Sequence, residues 1–331
     1  MAEAARRWRT TTLIASDRRQ ATKDLYSSRS RLHIETGPLA DMRIARLTPS
    51  HVEEWIIDSL QHGVAPSSLR TDYAVLRAIL ETAVRDGIVA KNVATQVNRP
   101  RVPRREALHL TPDQVSRLLQ KVAVSHHWLP ILVAAVTGMR RGEVLAMRWR
   151  DVDFDARTIT VAGTMTGSGR TLRREASAKT DASHRILPIS QELASLLVRR
   201  RAEQAADRRI ALDMWCDTGT DYVFTDKRGR FVEPRNMLRT LQNAAQELAF
   251  PRGTCVHTLR HSAATALLAG GAHLKLVSAI LGHSNTSITA DIYGHAPDTA
   301  QRAALDALHA QIAGKACSAF AGMSSTGSTP M

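Results

Sequence analysis

Apolar residues recur at helical spacing through most of the chain. The clearest run lies between Ser67 and Asp86, where Leu69, Tyr73, Leu76, Leu80 and Ala83 share one face and Gly87 follows as a terminator. Two helix starts share one wording: LTPSHVEEWI from Leu47 and LTPDQVSRLL from Leu110 each set a threonine at the cap and a proline at the first helical position, where its missing N–H removes no hydrogen bond. Between about 20 and 97 the pattern predicts a small all-helical domain. After residue 110 the period changes. Two helices are followed by VDFDARTITV, which alternates about an Asp-Ala-Arg turn, and RILPI at 185–189 reads as a partner strand, so a short antiparallel sheet interrupts the helices. YVFTDKRGR adds an extended stretch and a turn. Helices resume near Glu233; one from about His257 ends at Gly270-Gly271, and a last one, DTAQRAALDALHAQI, presents Leu305, Leu308 and Ile312 on one face.

Between the two textures, VNRPRVPRREALH concentrates proline and basic residues, which marks a linker at 98–109. Its Arg99, Arg101, Arg104 and Arg105 suit either a phosphate backbone or a solvated hinge. The predicted division is a basic N-terminal tail at 1–19, a helical domain at 20–97, the linker, a second domain at 110–312, and a small, polar tail at 313–331 for which no packed structure is expected. A length of 331 residues with 44% hydrophobic content agrees with about two domains. No apolar run approaches a membrane span and the N-terminus has no secretory h-region, so a cytoplasmic location is expected. Cys216, Cys255 and Cys317 are far apart, with no CxxC pair, and indicate neither a disulfide framework nor a zinc site. The formal charge of +14 favours a polyanionic partner, nucleic acid above all, although 38 arginines against 7 lysines also fit a coding bias toward arginine.

Several short motifs carry polar residues where chemistry would use them. In HTLRHSAATALL, His257 and Arg260 stand at i and i+3 on one helix face, which fits a site or a buried structural pair. VAAVTGMRRGEVLAMRW places Arg140 just as a helix begins, its planar fork able to meet an oxyanion, with Glu143 one turn later to brace it; an ordinary surface helix start is the alternative. AKTDASHRILPI sets Lys179 in the turn before a strand, LGHSNTSI offers His283 after a glycine, and SNTSITADIYGHA contains Tyr293 in a polar setting. The set is two arginines, a lysine, two histidines and a tyrosine, without an acidic cluster to hold Mg²⁺ or a phosphate loop of the GxxxxGK[ST] type. Breaking a phosphodiester without a metal requires guanidinium groups on the non-bridging oxygens, a nucleophile whose proton can be taken, and an acid for the departing sugar oxygen.

The ordered series TGMRRGE, KTDASHR, HTLRH, LGHSNTSI and DIYGH closely resembles the tyrosine recombinases, the phage-integrase type of site-specific recombinase, over about residues 20–312. That resemblance implies a mainly α fold with a small antiparallel β-sheet: an N-terminal helical, SAM-like core-binding domain and a C-terminal α+β catalytic domain, closing as a clamp on DNA. It implies catalytic roles for Arg140 and Arg260 as phosphate clamp, Lys179 as acid for the leaving 5′-oxygen, His257 and His283 as proton and hydrogen-bond partners, and Tyr293 as the nucleophile that forms a 3′-phosphotyrosyl link, with Glu143 in support. No cofactor, metal or ATP is implied. The implied partners are double-stranded recombination sites and three further copies of the chain, with a directionality factor or host DNA-bending protein as further candidates. The KTxxSxR form and RRGEVLAMRWRDVDF are more similar to integrases of phages and mobile elements than to chromosome-dimer-resolving enzymes. Such integrases often begin with an arm-site-binding domain, and only about twenty residues precede the helical domain here, so use of simple core sites or a truncated form is expected. A type IB topoisomerase-like relaxing enzyme and a catalytically silent architectural DNA-binding protein are the alternative readings.

Overall fold

The computed structural model describes residues 1–103, 107–176, 184–216 and 221–282. The chain divides into two compact units, Met1–Arg105 and Glu106–Met331.

In the first unit the described residues form α1 (Ala2–Thr10), α2 (Thr12–Ala15), α3 (Gln20–Arg29), α4 (Pro49–Gln61) and α5 (Pro66–Arg85). The core gathers Trp8, Leu13, Ile34, Val52, Trp55, Leu69, Tyr73, Leu76 and Leu80. As the sequence predicts, Thr48 caps α4 and Pro49 opens it; the Thr48 hydroxyl accepts from His51 N while His51 Nδ1 accepts from Thr48 N. One expectation is corrected. Residues 2–15 do not form a tail: Ala5 and Trp8 of α1 and Leu13 of α2 are buried in the core. Met1, Ala5 and Trp8 are spaced as one helical face, and the arginines that gave the segment its basic look lie off that face. Arg9 is one of them, and its guanidinium makes a two-pronged contact to Glu35, at 2.7 and 3.1 Å. Beyond α5 the Tyr73 hydroxyl reaches the carbonyls of Ala94 and Val97, which fixes the chain where it leaves the helices.

In the second unit follow α6 (Pro112–Lys121), α7 (Trp128–Thr137), α8 (Arg141–Leu145), β1 (Val152–Asp153), β2 (Thr158–Val161), β3 (Gly163–Thr166), β4 (Arg173–Ala176), β5 (Arg185–Pro188), α9 (Gln191–Ala211), α10 (Pro234–Glu247), α11 (Val256–Ala269) and α12 (Leu274–Leu281). The fold is thus mainly helical with small antiparallel sheets. The expected sheet is present, in the order β1-β2-β5, and a second hairpin, β3-β4, accompanies it. Ile159 pairs with Leu187 and Val161 with Arg185. Because successive side chains alternate across a strand, Arg185 and Leu187 face inward while Ile186 and Pro188 face out. A core of Leu118, Ile131, Met139, Ile159, Leu197, Met237, Leu241 and Leu259 holds helices and sheet together. Among the described residues no helix is long and apolar enough to cross a membrane.

Truncating Trp8 should expose how firmly α1 belongs to the first unit. Trp8→Ala is expected to cost about 3–5 kcal/mol in denaturant unfolding followed on that unit. A loss under about 1 kcal/mol would return residues 2–15 to the status of an attached tail.

Candidate active site

The site is built around the turn between α7 and α8. Helix α7 ends at Gly138 in the left-handed region, φ +65°, and a Cβ there would lie 2.7 Å from Leu281 Cδ2. The chain then turns through Met139, fully buried, and Arg140 caps the start of α8. Gly142 follows because β3 presses on this turn: a Cβ would collide with Thr164 Oγ1 and the Met165 carbonyl. Both glycines of TGMRRGE therefore answer to packing, and together they set where Arg140 leaves the backbone.

Glu143 supplies the brace that the sequence suggested. Its carboxylate accepts from Arg140 N at 2.9 Å and Arg140 Nη1 at 2.8 Å. It also accepts from Arg185 Nη2 at 2.9 Å, a partner to which sequence reasoning assigned no role. Burial alone would raise the Glu143 pKa; the hydrogen bonds and charge of Arg185, followed by those of Arg140, outweigh it and hold the carboxyl below its ordinary range. Glu143 is ionised at neutral pH. Removing Glu143 is expected to cost about 3–5 kcal/mol, since it leaves the buried Arg185 guanidinium without its carboxylate.

Three guanidinium groups meet the end of α12. Arg185 Nε donates to Ile280 O at 2.7 Å, Arg260 Nη2 to Leu281 O at 2.6 Å, and Arg140 Nη2 makes a long contact of 3.5 Å with Gly282 O. Arg260 also donates through Nη1 to Gly138 O at 2.8 Å, so it spans the ends of α7 and α12. It is 1% exposed. Terminal carbonyls lack intrahelical partners and carry the negative end of the helix dipole, so cations are favoured there. The side chain of Arg140, in contrast, stays 42% exposed beside this buried framework.

His257 lies on the first turn of α11 with its residue surface open to solvent. Partial desolvation, then the positive charges of Arg260 and Arg140, lower its pKa from the ordinary imidazole value. The neutral ring, with a lone pair for a proton, is thereby favoured. His261 stacks edge-on at 4.6 Å between ring centroids, and its pKa is lowered to about 4 by burial and by His257, Arg260 and His109. One residue on, the Ser262 hydroxyl accepts from Leu110 N at 2.8 Å and donates to Thr258 O, tying the entry of α6 to α11.

Arg140, Glu143, His257 and Arg260 are thus brought together, and the i, i+3 pair of α11 resolves into a buried arginine and an exposed histidine. Lys179, His283 and Tyr293 lie outside the described residues, as do Arg104, Arg105, the helix expected from about Asp298 and the 313–331 segment. Arg99 and Arg101 are exposed in the first unit. Among the described residues no three His, Cys, Asp or Glu side chains group to hold a metal ion. Arg185 ends the KTxxSxR motif and His261 the HTLRH motif, yet neither was given a role, although Arg185 is two residues from the inward-facing Leu187 and so on its face of the strand.

The model of the phage integrase family matches residues 109–299, more than half of the chain. The chain belongs to that family. It is a tyrosine recombinase, as the sequence motifs implied. A XerC-like tyrosine recombinase of Caldanaerobacter subterraneus subsp. tengcongensis is 28% identical over 300 residues, covering 86% of this chain and 76% of its own. The integrase of Mycobacterium phage D29 is 27% identical over 266 residues, covering 80% and 67%. Among solved structures, the Tn1549 transposon integrase in complex with a circular intermediate DNA superposes with a TM-score of 0.75 at 22% identity, over 93% of this chain and 98% of that one. A lambda integrase dimer bound to a core site gives 0.64 at 17% identity, over 88% and 95%. At these identities the structures speak to fold alone. Among the described residues, this recombinase holds a charged frame of Glu143, Arg185 and Arg260 beside a partly exposed arginine, Arg140, and a solvent-facing histidine, His257.

The sign of the His257 shift yields a test that needs no DNA. Nearby positive charge disfavours the imidazolium, so Arg140→Ala should raise the His257 midpoint in an NMR titration toward the ordinary imidazole value. An unchanged midpoint would place the Arg140 guanidinium away from the ring.

Proposed function

We propose that this recombinase cuts one strand at a specific DNA site and rejoins it to a second site through a 3′-phosphotyrosyl intermediate, with Arg140 and Arg260 at the scissile phosphate. The observation that supports this most is that both guanidinium groups reach adjoining carbonyls at the end of α12, beside a histidine whose proton affinity is lowered by partial burial and then by their two charges. Fixed donors of that kind act on the charge that grows on the non-bridging oxygens, and they require no reorganisation as it grows. In the proposed step the Tyr293 oxygen forms a bond to phosphorus while the bond to the 5′-oxygen breaks. The phenol proton passes to a histidine, His257 or His283, and Lys179 gives a proton to the departing oxygen. One phosphodiester replaces another, so attack by a 5′-hydroxyl from the partner strand reverses the step without ATP.

Around this chemistry the two units would embrace the duplex as a clamp, with Arg99, Arg101, Arg104 and Arg105 along the phosphate backbone and four copies assembled on paired sites. A lambda integrase tetramer bound to a Holliday junction, 18% identical and with a TM-score of 0.61, is the precedent for such an assembly. Binding by arginine-phosphate contacts makes log K fall by about 0.9 per phosphate neutralised as log salt rises. The motif forms support a phage or other mobile element as the natural setting, which implies work inside the cell that holds the DNA.

A nicked suicide duplex tests the reaction directly. A covalent protein–DNA adduct should accumulate without metal or ATP and vanish in Tyr293→Phe; adduct persisting in that variant would remove Tyr293 as nucleophile. Arg140→Lys should lose about 10²-fold or more in cleavage despite keeping its charge, because an ammonium cannot reproduce a two-pronged fork. Lys179→Ala should be rescued by sulfur at the bridging 5′ position, a leaving group that needs no proton, and failure of that rescue would contradict the role of acid.

A further inference from the structure

We propose that Arg185 is a positioning residue for Arg140, acting through Glu143; the proposal rests on the phosphate-clamp role given to Arg140 above. The bonds form a closed circuit: Ile280 O accepts from Arg185, whose Nη2 donates to Glu143, whose other carboxylate oxygen accepts from Arg140, whose Nη2 reaches Gly282 O. Three elements, β5, α8 and the end of α12, are closed into one ring around a single carboxylate.

Packing alone does not call for this. Arg185 takes an inward-facing strand position next to Leu187, while Ile186 is turned outward and is 63% exposed. An apolar side chain at 185 would fill the same space, and Glu143 already has a cation in Arg140. Instead the chain buries a second guanidinium, with Nη1 left without a hydrogen-bond partner among the described residues. What Arg185 adds is constraint. With only Arg140 attached, the carboxylate could rotate and carry the exposed fork with it; pinned from behind by Arg185, it holds Arg140 Nη1 on a fixed line. The same residue fastens the last turn of α12, the point from which the chain continues to His283.

The test compares cleavage at saturating DNA on two nicked duplexes, one with an ordinary scissile phosphate and one in which methyl replaces a non-bridging oxygen and removes its charge. Arg185→Gln should slow cleavage of the ordinary duplex about 10²-fold, the scale of a misplaced catalytic group, with duplex binding unchanged. On the neutral duplex, where a guanidinium has less charge to meet, most of that deficit should disappear, as it should for Arg140→Ala. If Arg185→Gln unfolds, as thermal melting would reveal, Arg185→Lys takes its place, keeping a cation for Glu143 without the second prong to Ile280 O.

Relief in both positions supports the proposal. Relief for Arg140→Ala with an undiminished Arg185 deficit would make Arg185 merely structural and overturn it, as would normal cleavage by the Arg185 variant. An Arg140→Ala deficit that the neutral duplex leaves intact, or no deficit at all, removes Arg140 from the phosphate, and the proposal falls with that reading.

Discussion

The last turn of α12 offers three consecutive carbonyl oxygens, those of Ile280, Leu281 and Gly282, and each meets a different arginine. A helix end needs donors because its final carbonyls have none of their own. Here the donors come from β5, α11 and the cap of α8, so satisfying one helix terminus gathers side chains separated by more than a hundred positions. The cost of such a gathering is electrostatic, since guanidinium groups repel. It is offset by the negative end of the helix and by one buried, ionised carboxylate, Glu143. Charge that would be awkward on an isolated surface is thereby held in a fixed arrangement.

Much of this was legible from the chain. The caps at Thr48 and Thr111, the helix closed by Gly87, and the pairing of VDFDARTITV with RILPI all follow from local rules that tertiary context did not override. Glu143 as a brace was legible too, because three residues is one turn. The inward course of Arg185 was not, for a physical reason: an arginine beside an isoleucine in a strand is ordinarily taken as the outward member, and this strand inverts the rule. Only the register imposed by Ile159 opposite Leu187 decides which face is which, and register belongs to the pairing rather than to either strand. The first helix was obscured differently, by arginines that dominate its composition while Ala5 and Trp8 do its packing. Composition reports the whole surface of a short helix; burial is decided by one face of it.

The glycines of the arginine turn show how tightly backbone and side chain are linked. Gly138 admits Leu281 and Gly142 admits β3, so the path of the chain on either side of Arg140 is fixed by neighbours that any larger residue would displace. Aim, in such a site, is partly a property of residues with no side chain at all.

The hairpin strand β4 is paired to β3, which lies against Gly142, and β5 opens with Arg185, which is bonded to Glu143. The segment that carries Lys179 runs between those two strands. Its two ends are tied to the packing around the turn that bears Arg140, β4 through β3 and β5 through the Arg185–Glu143 bond. A shift of that one turn is therefore felt at both ends of the β4–β5 connection at once.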